Sequence, residues 1–194
     1  MTTTAPGGDD RRELIVRTAI TVIARDGVRA LTHRAVDREA GIPESATSHY
    51  ARTRQALLTL IADTLESRTL ADAALFVDSL AVCEQVDTDD LARKLGALVD
   101  ALASRPADMR ARYALMLEPA ADPSMHARLA MSPEIDDLAI RALSQALTTA
   151  GLLDSVDRVR DLMSLADALV FSRNVIGTAI DARGIFAAYL RGSD

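Results

Sequence analysis

Apolar residues recur at helical spacing through almost the whole chain. The first such stretch predicts a helix from Asp10, which has the form of a capping box with Glu13, to Gly27. Its largely apolar face consists of Leu14, Ile15, Thr18, Ala19, Val22 and Ile23. No segment alternates apolar with polar residues for long, as a half-buried strand would. The pattern therefore predicts an all-α fold.

Two short helices are predicted next. The first covers Thr32–Ala40, with Thr32 as its cap and Asp37 on the outward side. Gly41 supplies a turn, and the second helix covers about Pro43–Tyr50, because proline is tolerated in the first turn of a helix. Thr53 is a suitable cap for a long fourth helix. This arrangement predicts three helices at the N-terminus that lead into a longer one.

The remainder of the chain predicts further helices without an internal repeat. Caps, prolines and glycines place them from Thr88, over 105–120, from Asp122-Pro123, over 132–151, from Asp154 to about Ile180, and over 184–192.

The segment GIPESATSHYARTR, residues 41–54, is small, polar and finally basic. Two short helices joined by a tight turn form a helix-turn-helix, whose second helix can enter the major groove of DNA. That groove is about 12 Å wide, so small side chains would let the helix approach base edges, and terminal arginines would meet phosphates. A solvated connection without a DNA partner is the alternative interpretation of the same pattern.

Charge is unevenly distributed along the chain. The net charge of −6 divides into +2 over residues 1–54 and −8 over residues 55–194. A mildly basic N-terminal part suits a protein that presents one end to an anion. The chain has one Cys, so a disulfide framework and a cysteine-rich metal site are excluded, and a reducing cytoplasm is the natural setting. Neither a signal peptide nor a long apolar run indicates a membrane.

Residues 31–58, LTHRAVDREAGIPESATSHYARTRQALL, resemble the DNA-binding signature of the TetR family of transcriptional regulators. The elements that carry the resemblance are Leu31-Thr32, Ala40-Gly41-Ile42, Tyr50, Thr53-Arg54 and Ala56-Leu57-Leu58. Three positions depart from the usual pattern: Thr47 stands for Leu, Ser48 for Tyr and Ala51 for Phe. The stretch RYALMLEPAADPSM also resembles a segment found in one branch of the family.

The N-terminal segment MTTTAPGGDDRR lacks an apolar core, and residues 1–8 are predicted to be a disordered tail. The resemblance implies a DNA-binding domain at 9–55 with the helix-turn-helix at about 32–51, and an effector-binding and dimerisation domain at 56–194. It implies that Arg34 reaches a base and that His33, Tyr50 and Arg54 hold phosphates, with Arg52 also available to them. The positions that would face the groove are Glu44, Ser45, Ala46, Ser48 and His49. For Glu44, contact with a cytosine amino group and simple solvation both remain open.

For the C-terminal part, the resemblance implies a pocket for a small, largely apolar effector and a four-helix bundle formed with a second copy. The expected pocket residues are Met109, Tyr113, Met116, Met125 and Met163. Ordinary core filled by methionine is the alternative for each of them. The expected dimer residues, within about 155–191, are Leu162, Leu165, Leu169, Phe186 and Tyr189.

These features favour a homodimeric repressor that binds a palindromic double-stranded operator and is released by a small effector. A helical protein–protein interaction module without DNA binding is the second hypothesis, supported by the overall acidity and by Glu44. No nucleophile–base arrangement or phosphate-binding glycine loop points to an enzyme. We expect no metal, no cofactor and no membrane partner.

Overall fold

The computed structural model describes residues 8–81, 86–118 and 123–192. Within these residues all regular structure is helical, so the all-α prediction is confirmed. The α-helices are α1 (Gly8–Asp26), α2 (His33–Glu39), α3 (Ala46–Tyr50), α4 (Arg54–Ala81), α5 (Thr88–Ala103), α6 (Pro106–Met116), α7 (Pro123–Met131), α8 (Pro133–Thr149), α9 (Val156–Phe171) and α10 (Ala182–Arg191). A 3₁₀ turn covers Val28–Ala30, and a π-helical turn covers Ser172–Ile176. The predicted tail lies outside the described residues except for Gly8, at which α1 begins.

The chain forms two compact units. The first comprises Met1–Glu66 and Arg110–Ala130, and the second comprises Ser67–Met109 and Met131–Asp194. The first unit therefore combines the N-terminal helices with a segment from the middle of the sequence. The functional boundary near residue 55 stays a prediction. No helix within the described residues is long and apolar enough to cross a membrane.

The core of the first unit is built on the apolar face predicted for α1. Except for Leu14, which is half-buried, this face is buried, and α1 packs against α2 and the 3₁₀ turn. The largest fully buried side chains of the unit are Ile15, Ile20, Ile23, Leu31, Leu57, Ile61, Leu65 and Leu115. The burial of each such side chain stabilises the folded state by about 1.5–3 kcal/mol relative to its exposure. Packing of these side chains holds α2 against α1.

Helix α3 is shorter than predicted. It begins at Ala46 rather than near Pro43, because Ser45 has a φ of 73° and cannot continue a right-handed helix. Gly41, at φ 64°, turns the chain after α2, and Pro43 lies in the turn. The recognition-helix candidate is therefore only five residues long.

The long C-terminal helix predicted from Asp154 also ends early. Helix α9 stops at Phe171 and passes through the π-helical turn to Gly177, whose φ of 82° ends helical structure. The apolar pattern continues past this point through Val175 and Ile176, but both side chains are exposed. The helix was predicted to be too long because the spacing of apolar residues carries no information about a residue with left-handed backbone conformation, such as Gly177.

In the second unit, α5 packs closely against α10. Their closest approach is at Gly96, where an added Cβ would lie 3.1 Å from the Cβ of Arg183 and 3.2 Å from its Cα. The buried residues of the two helices include Leu91, Leu95, Val99, Phe186 and Leu190. Glycine at position 96 thus permits contact between the two backbones.

A side chain at position 96 should separate α5 from α10. We expect Gly96→Val to lower the free energy of unfolding by about 1–3 kcal/mol, because the backbone of Arg183 cannot rotate away as a side chain can. Ala101→Val, at an exposed position of the same helix, is the matched control and should cost less than about 0.7 kcal/mol. Urea unfolding measures both changes, and equal losses in the two variants would contradict the close contact.

Candidate nucleic-acid interface

Three residues set the bounds of the helices in the helix-turn-helix: Thr32, Gly41 and Thr53. The Thr32 hydroxyl accepts from the backbone N–H of Ala35 (3.1 Å) and caps α2. Gly41 turns the chain toward α3. The Thr53 hydroxyl accepts from the N–H of Ala56 (3.0 Å) at the start of α4. These local capping bonds set where each helix begins.

The surface of α3 and the turn before it is small and polar. Glu44, Ser45 and His49 are exposed, while Ala46 and Ser48 are half-buried. All five positions predicted to face a DNA groove therefore keep some surface open to solvent. A helix with such side chains can approach base edges, and Ser and His offer hydrogen bonds to them.

Thr47 lies on the opposite side of α3 and is fully buried. Its hydroxyl donates to Oδ1 of Asp37 (2.6 Å), and its backbone N–H donates to the same oxygen (2.9 Å). This explains why threonine stands where the family pattern has leucine. The hydroxyl of the buried threonine donates a hydrogen bond to a carboxylate, which a leucine side chain could not do. Ala51, where the family pattern has Phe, is also buried.

Asp37 was predicted to point outward, and this was wrong: its relative exposure is 2%. Besides the two bonds from Thr47, its Oδ2 accepts from the backbone N–H of Ser45 (2.9 Å). A buried carboxylate is stable only when hydrogen bonds replace its lost hydration, and α3 with its N-cap Ser45 supplies three of them. Sequence reasoning missed this residue because its partners lie eight and ten positions away, across a turn.

Two side chains predicted to hold phosphates have partners within the chain. Nε2 of His33, which is half-buried, lies 2.6 Å from the carbonyl oxygen of Ala51. Nη2 of Arg54 donates to the carbonyl of Val28 (2.8 Å). Both residues therefore take part in the structure of the first unit. Their contact with phosphates stays a prediction.

The other basic and aromatic positions of the predicted interface are open. Arg34 on α2 and Arg52 in the loop after α3 are exposed, and Tyr50 is 37% exposed. Flexible, exposed guanidinium groups are suited to phosphate oxygens and to guanine edges.

An ion pair on the surface joins α1 to α2. Arg25 donates to both carboxylate oxygens of Glu39 (2.9 and 3.1 Å) and also pairs with Asp26. These hydrogen bonds hold the pKa of Glu39 and of Asp26 below their ordinary values. All three side chains face solvent, so salt screens the pairing and its contribution to stability is small.

The residues predicted for an effector pocket occur in both units. Tyr113, Met116 and Met125 belong to the first unit, and Met109 and Met163 to the second. Met109, Tyr113 and Met125 are buried, and the other two are half-buried.

The environment of Tyr113 in the first unit contains a buried cation. The guanidinium of Arg112 lies 5.1 Å from the centroid of the Tyr113 ring. It also donates to the carbonyls of Leu129 (2.6 Å) and Ala130 (3.0 Å), near the end of α7. The guanidinium thus lies over the tyrosine ring while its N–H groups bond to the backbone near the end of α7.

The residues predicted for a dimer interface differ in exposure. Leu162 and Phe186 are fully buried within the single chain and Leu169 is nearly so. They offer little surface through which a second copy could be contacted. Leu165 and Tyr189 are half-buried, and burial, followed by the bond from the Tyr189 hydroxyl to Asp161 (3.1 Å), raises the pKa of Tyr189.

The described residues contain no group of three or more His, Cys, Asp or Glu that could hold a metal ion.

The candidate site is a helix-turn-helix whose second helix has small, polar side chains open to solvent. Exposed basic side chains lie on α2 and in the loop after α3.

This all-helical fold with an N-terminal helix-turn-helix defines a class of transcriptional regulators. Residues 86–193 match the family model for the tetracyclin repressor-like C-terminal domain, which covers more than half of the chain. The chain therefore belongs to the TetR family; it is a transcriptional regulator and not an enzyme. No curated protein matches the sequence.

Solved structures with the same fold cover nearly the whole chain. A TetR transcription regulator from Haloarcula marismortui is 20% identical, with a TM-score of 0.68 over 95% of this chain and 98% of that one. The TetR family regulator PfmR from Thermus thermophilus is 14% identical, with a TM-score of 0.67 over 98% and 95%. The fatty acid degradation regulator FadR from Bacillus halodurans is 14% identical, with a TM-score of 0.67 over 97% and 95%. At these identities the likeness concerns the fold.

Proposed function

We propose that the chain is a cytoplasmic, homodimeric repressor that binds a palindromic DNA operator through α3 and is released by a small, largely apolar effector. The observation that carries the DNA-binding part is the contrast between the two sides of α3. Thr47 is buried against Asp37, whereas Ser45 and His49 are exposed, as are Arg34 on α2 and Arg52 after α3. A helix held from behind, with short polar side chains in front, suits insertion into a major groove.

The uneven charge of the chain supports the same proposal. Residues 1–54 carry a net charge of +2 in a chain of net charge −6. The acidic remainder would be repelled by DNA, so a duplex would be steered toward the basic N-terminal part.

For the dimer we propose a surface on α9 and α10. It consists of side chains that are at least partly exposed to solvent in the single chain. Leu165 and Tyr189 of the predicted set qualify, and Ile185, which sequence reasoning did not select, is also exposed. A two-fold dimer would place its two α3 helices in successive major grooves of a palindrome, with half-site centres about 34–36 Å apart.

For the effector we propose a small molecule with a large apolar part. Methionine side chains adapt to irregular shapes, and two of the predicted pocket residues in the first unit, Tyr113 and Met125, are buried. Release of DNA would follow if the effector bound the DNA-free state more tightly, since the shift is limited by that difference in affinity.

The test of DNA binding starts from a random duplex library. Full-length protein should enrich a palindromic sequence, and its affinity for that enriched duplex should fall steeply as salt rises, because binding releases counterions from phosphates. The matched control is a scrambled duplex of the same length and composition. If nothing is enriched, or if affinity does not respond to salt, DNA binding is wrong and a protein–protein role is favoured.

A further inference from the structure

Two side chains of α2 contact opposite ends of α3. His33 and Asp37 are four residues apart, so they lie on the same face of α2. Asp37 accepts hydrogen bonds from the N–H groups of Ser45 and Thr47 at the start of α3. His33 reaches the carbonyl of Ala51, the residue that follows its last turn.

The contact made by Asp37 matches the polarity of the helix. The first N–H groups of a helix and its last carbonyls have no partners within it, and they carry partial positive and partial negative charge, respectively. A carboxylate stands at the positive end of α3, where it is favoured. A carbonyl oxygen only accepts, so Nε2 of His33 must donate to the carbonyl of Ala51, the extended residue that follows the C-terminal end of α3.

Helix α3 has little means of holding itself in place. It contains five residues, too few for a helix to be stable alone. Its N-cap, Ser45, adopts a left-handed φ of 73° and forms no capping bond with its own side chain. Asp37 supplies the missing cap from the neighbouring helix, and Thr47 adds a third bond through its buried hydroxyl.

We propose that His33 and Asp37 act as a clamp that positions α3 for DNA reading without contacting the bases themselves. The clamp sets the direction of the whole short helix, because its two ends are held by one face of α2. The inference rests on the proposed DNA-binding function. It assigns Asp37 a role in recognition that the sequence pattern did not indicate, and it gives His33 a positioning role in place of the phosphate contact predicted for it.

The test compares isosteric and conservative variants of the clamp. Asp37→Asn keeps the shape but removes the charge and turns one acceptor into a donor. His33→Leu removes the donor, Thr47→Val removes the hydroxyl, and Thr47→Ser restores it. Binding is measured by fluorescence anisotropy with the enriched duplex and with its scrambled counterpart, at a temperature at which circular dichroism shows each variant to be folded.

A displaced reading helix should lose discrimination rather than general attraction to DNA. We expect Asp37→Asn and His33→Leu each to bind the enriched duplex at least about ten-fold more weakly, with scrambled-duplex affinity within about three-fold of the parent. Thr47→Val should show a smaller loss that Thr47→Ser does not. If His33→Leu lowers both affinities equally and reduces the salt dependence, His33 holds a phosphate and the clamp is overturned.

The control for a merely structural effect is Val22→Ala, a buried substitution in α1 that lowers stability without removing a hydrogen bond to α3. Its ratio of enriched to scrambled affinity should equal that of the parent. If Val22→Ala and Asp37→Asn lower this ratio equally, general destabilisation explains both, and the positioning role is overturned.

A measurement without DNA separates the clamp from the proposed function. In the free protein, Asp37→Asn should speed amide hydrogen exchange at Ser45 and Thr47 about ten-fold or more, while amides in the middle of α1 keep the parental rate. If the parent binds no DNA but this local effect is present, DNA binding fails while the clamp on α3 is supported. If exchange at Ser45 and Thr47 is unchanged, the clamp is overturned whatever the DNA results.

Discussion

The Arg34→Ala, Arg52→Ala double variant should bind the enriched duplex about 100-fold more weakly than the parent, because each lost contact is expected to cost about 1–3 kcal/mol. Both side chains are exposed, Arg34 on α2 and Arg52 directly after α3. The resemblance to TetR regulators implies a base contact for Arg34, and phosphate contact is proposed for Arg52. We chose Arg52 over Arg54, since Arg54 also bonds to Val28 and its removal would disturb the first unit.

The control for this experiment removes the same charge elsewhere. Arg141→Ala with Arg160→Ala changes two exposed arginines on α8 and α9, in the second unit. This variant should bind within about three-fold of the parent, because distant surface charges act only through screened long-range attraction. Fluorescence anisotropy at fixed salt measures both variants. Equal losses in the two would mean that net charge, and not the helix-turn-helix, governs binding.

Phe186→Ala should produce the largest loss of stability of any single substitution considered, about 3–5 kcal/mol. The Phe186 side chain has 0% relative exposure and is the largest fully buried side chain of the chain's described residues. It lies on α10, which packs against α5. The two helices are already in close contact at Gly96, so they cannot easily move together to fill the cavity that the substitution leaves. Urea unfolding followed by circular dichroism gives the change in free energy of unfolding.

Leu75→Ala is the control, because the Leu75 side chain is 68% exposed on α4 of the same unit and lies outside the proposed dimer surface. It should cost less than about 1 kcal/mol. Ile185→Ala tests the dimer surface proposed on α9 and α10: a cost of more than about 2 kcal/mol, together with a shift toward the monomer in size-exclusion chromatography, would support that surface. A Phe186→Ala loss below that of Leu75→Ala would contradict the packing of α10 described above.

Helix starts were predictable where the signal is local. Thr32 caps α2, and Thr53 bonds to the N–H of Ala56 at the start of α4, both as their positions indicated. Pro123 and Pro133 begin α7 and α8, as expected for proline in the first helical position. Such signals act between residues one to four positions apart, so a single sequence contains them completely.

A left-handed backbone conformation could be predicted from the sequence only where a glycine marks the position. The turn at Gly41 was expected, but the left-handed Ser45 was not, and the start of α3 was therefore placed too early. A serine pays a steric penalty in this region, which the bond from its N–H to Asp37 helps to offset. The end of α9 was missed for a related reason, since the apolar spacing continues beyond the π-helical turn.

Taken alone, the sequence determined the helical class of the protein, the order of its N-terminal helices and the small polar character of the segment that would meet DNA. Those properties follow from side-chain periodicity and from capping chemistry between near neighbours. Only the tertiary structure decided that Asp37 is buried, that His33 faces Ala51, and that Leu162 and Phe186 belong to the core of one chain rather than to a surface. Burial depends on which distant residues fold against a side chain, and hydrogen bonds across a turn depend on the angle between two helices; neither quantity is encoded by the spacing of residues along one helix.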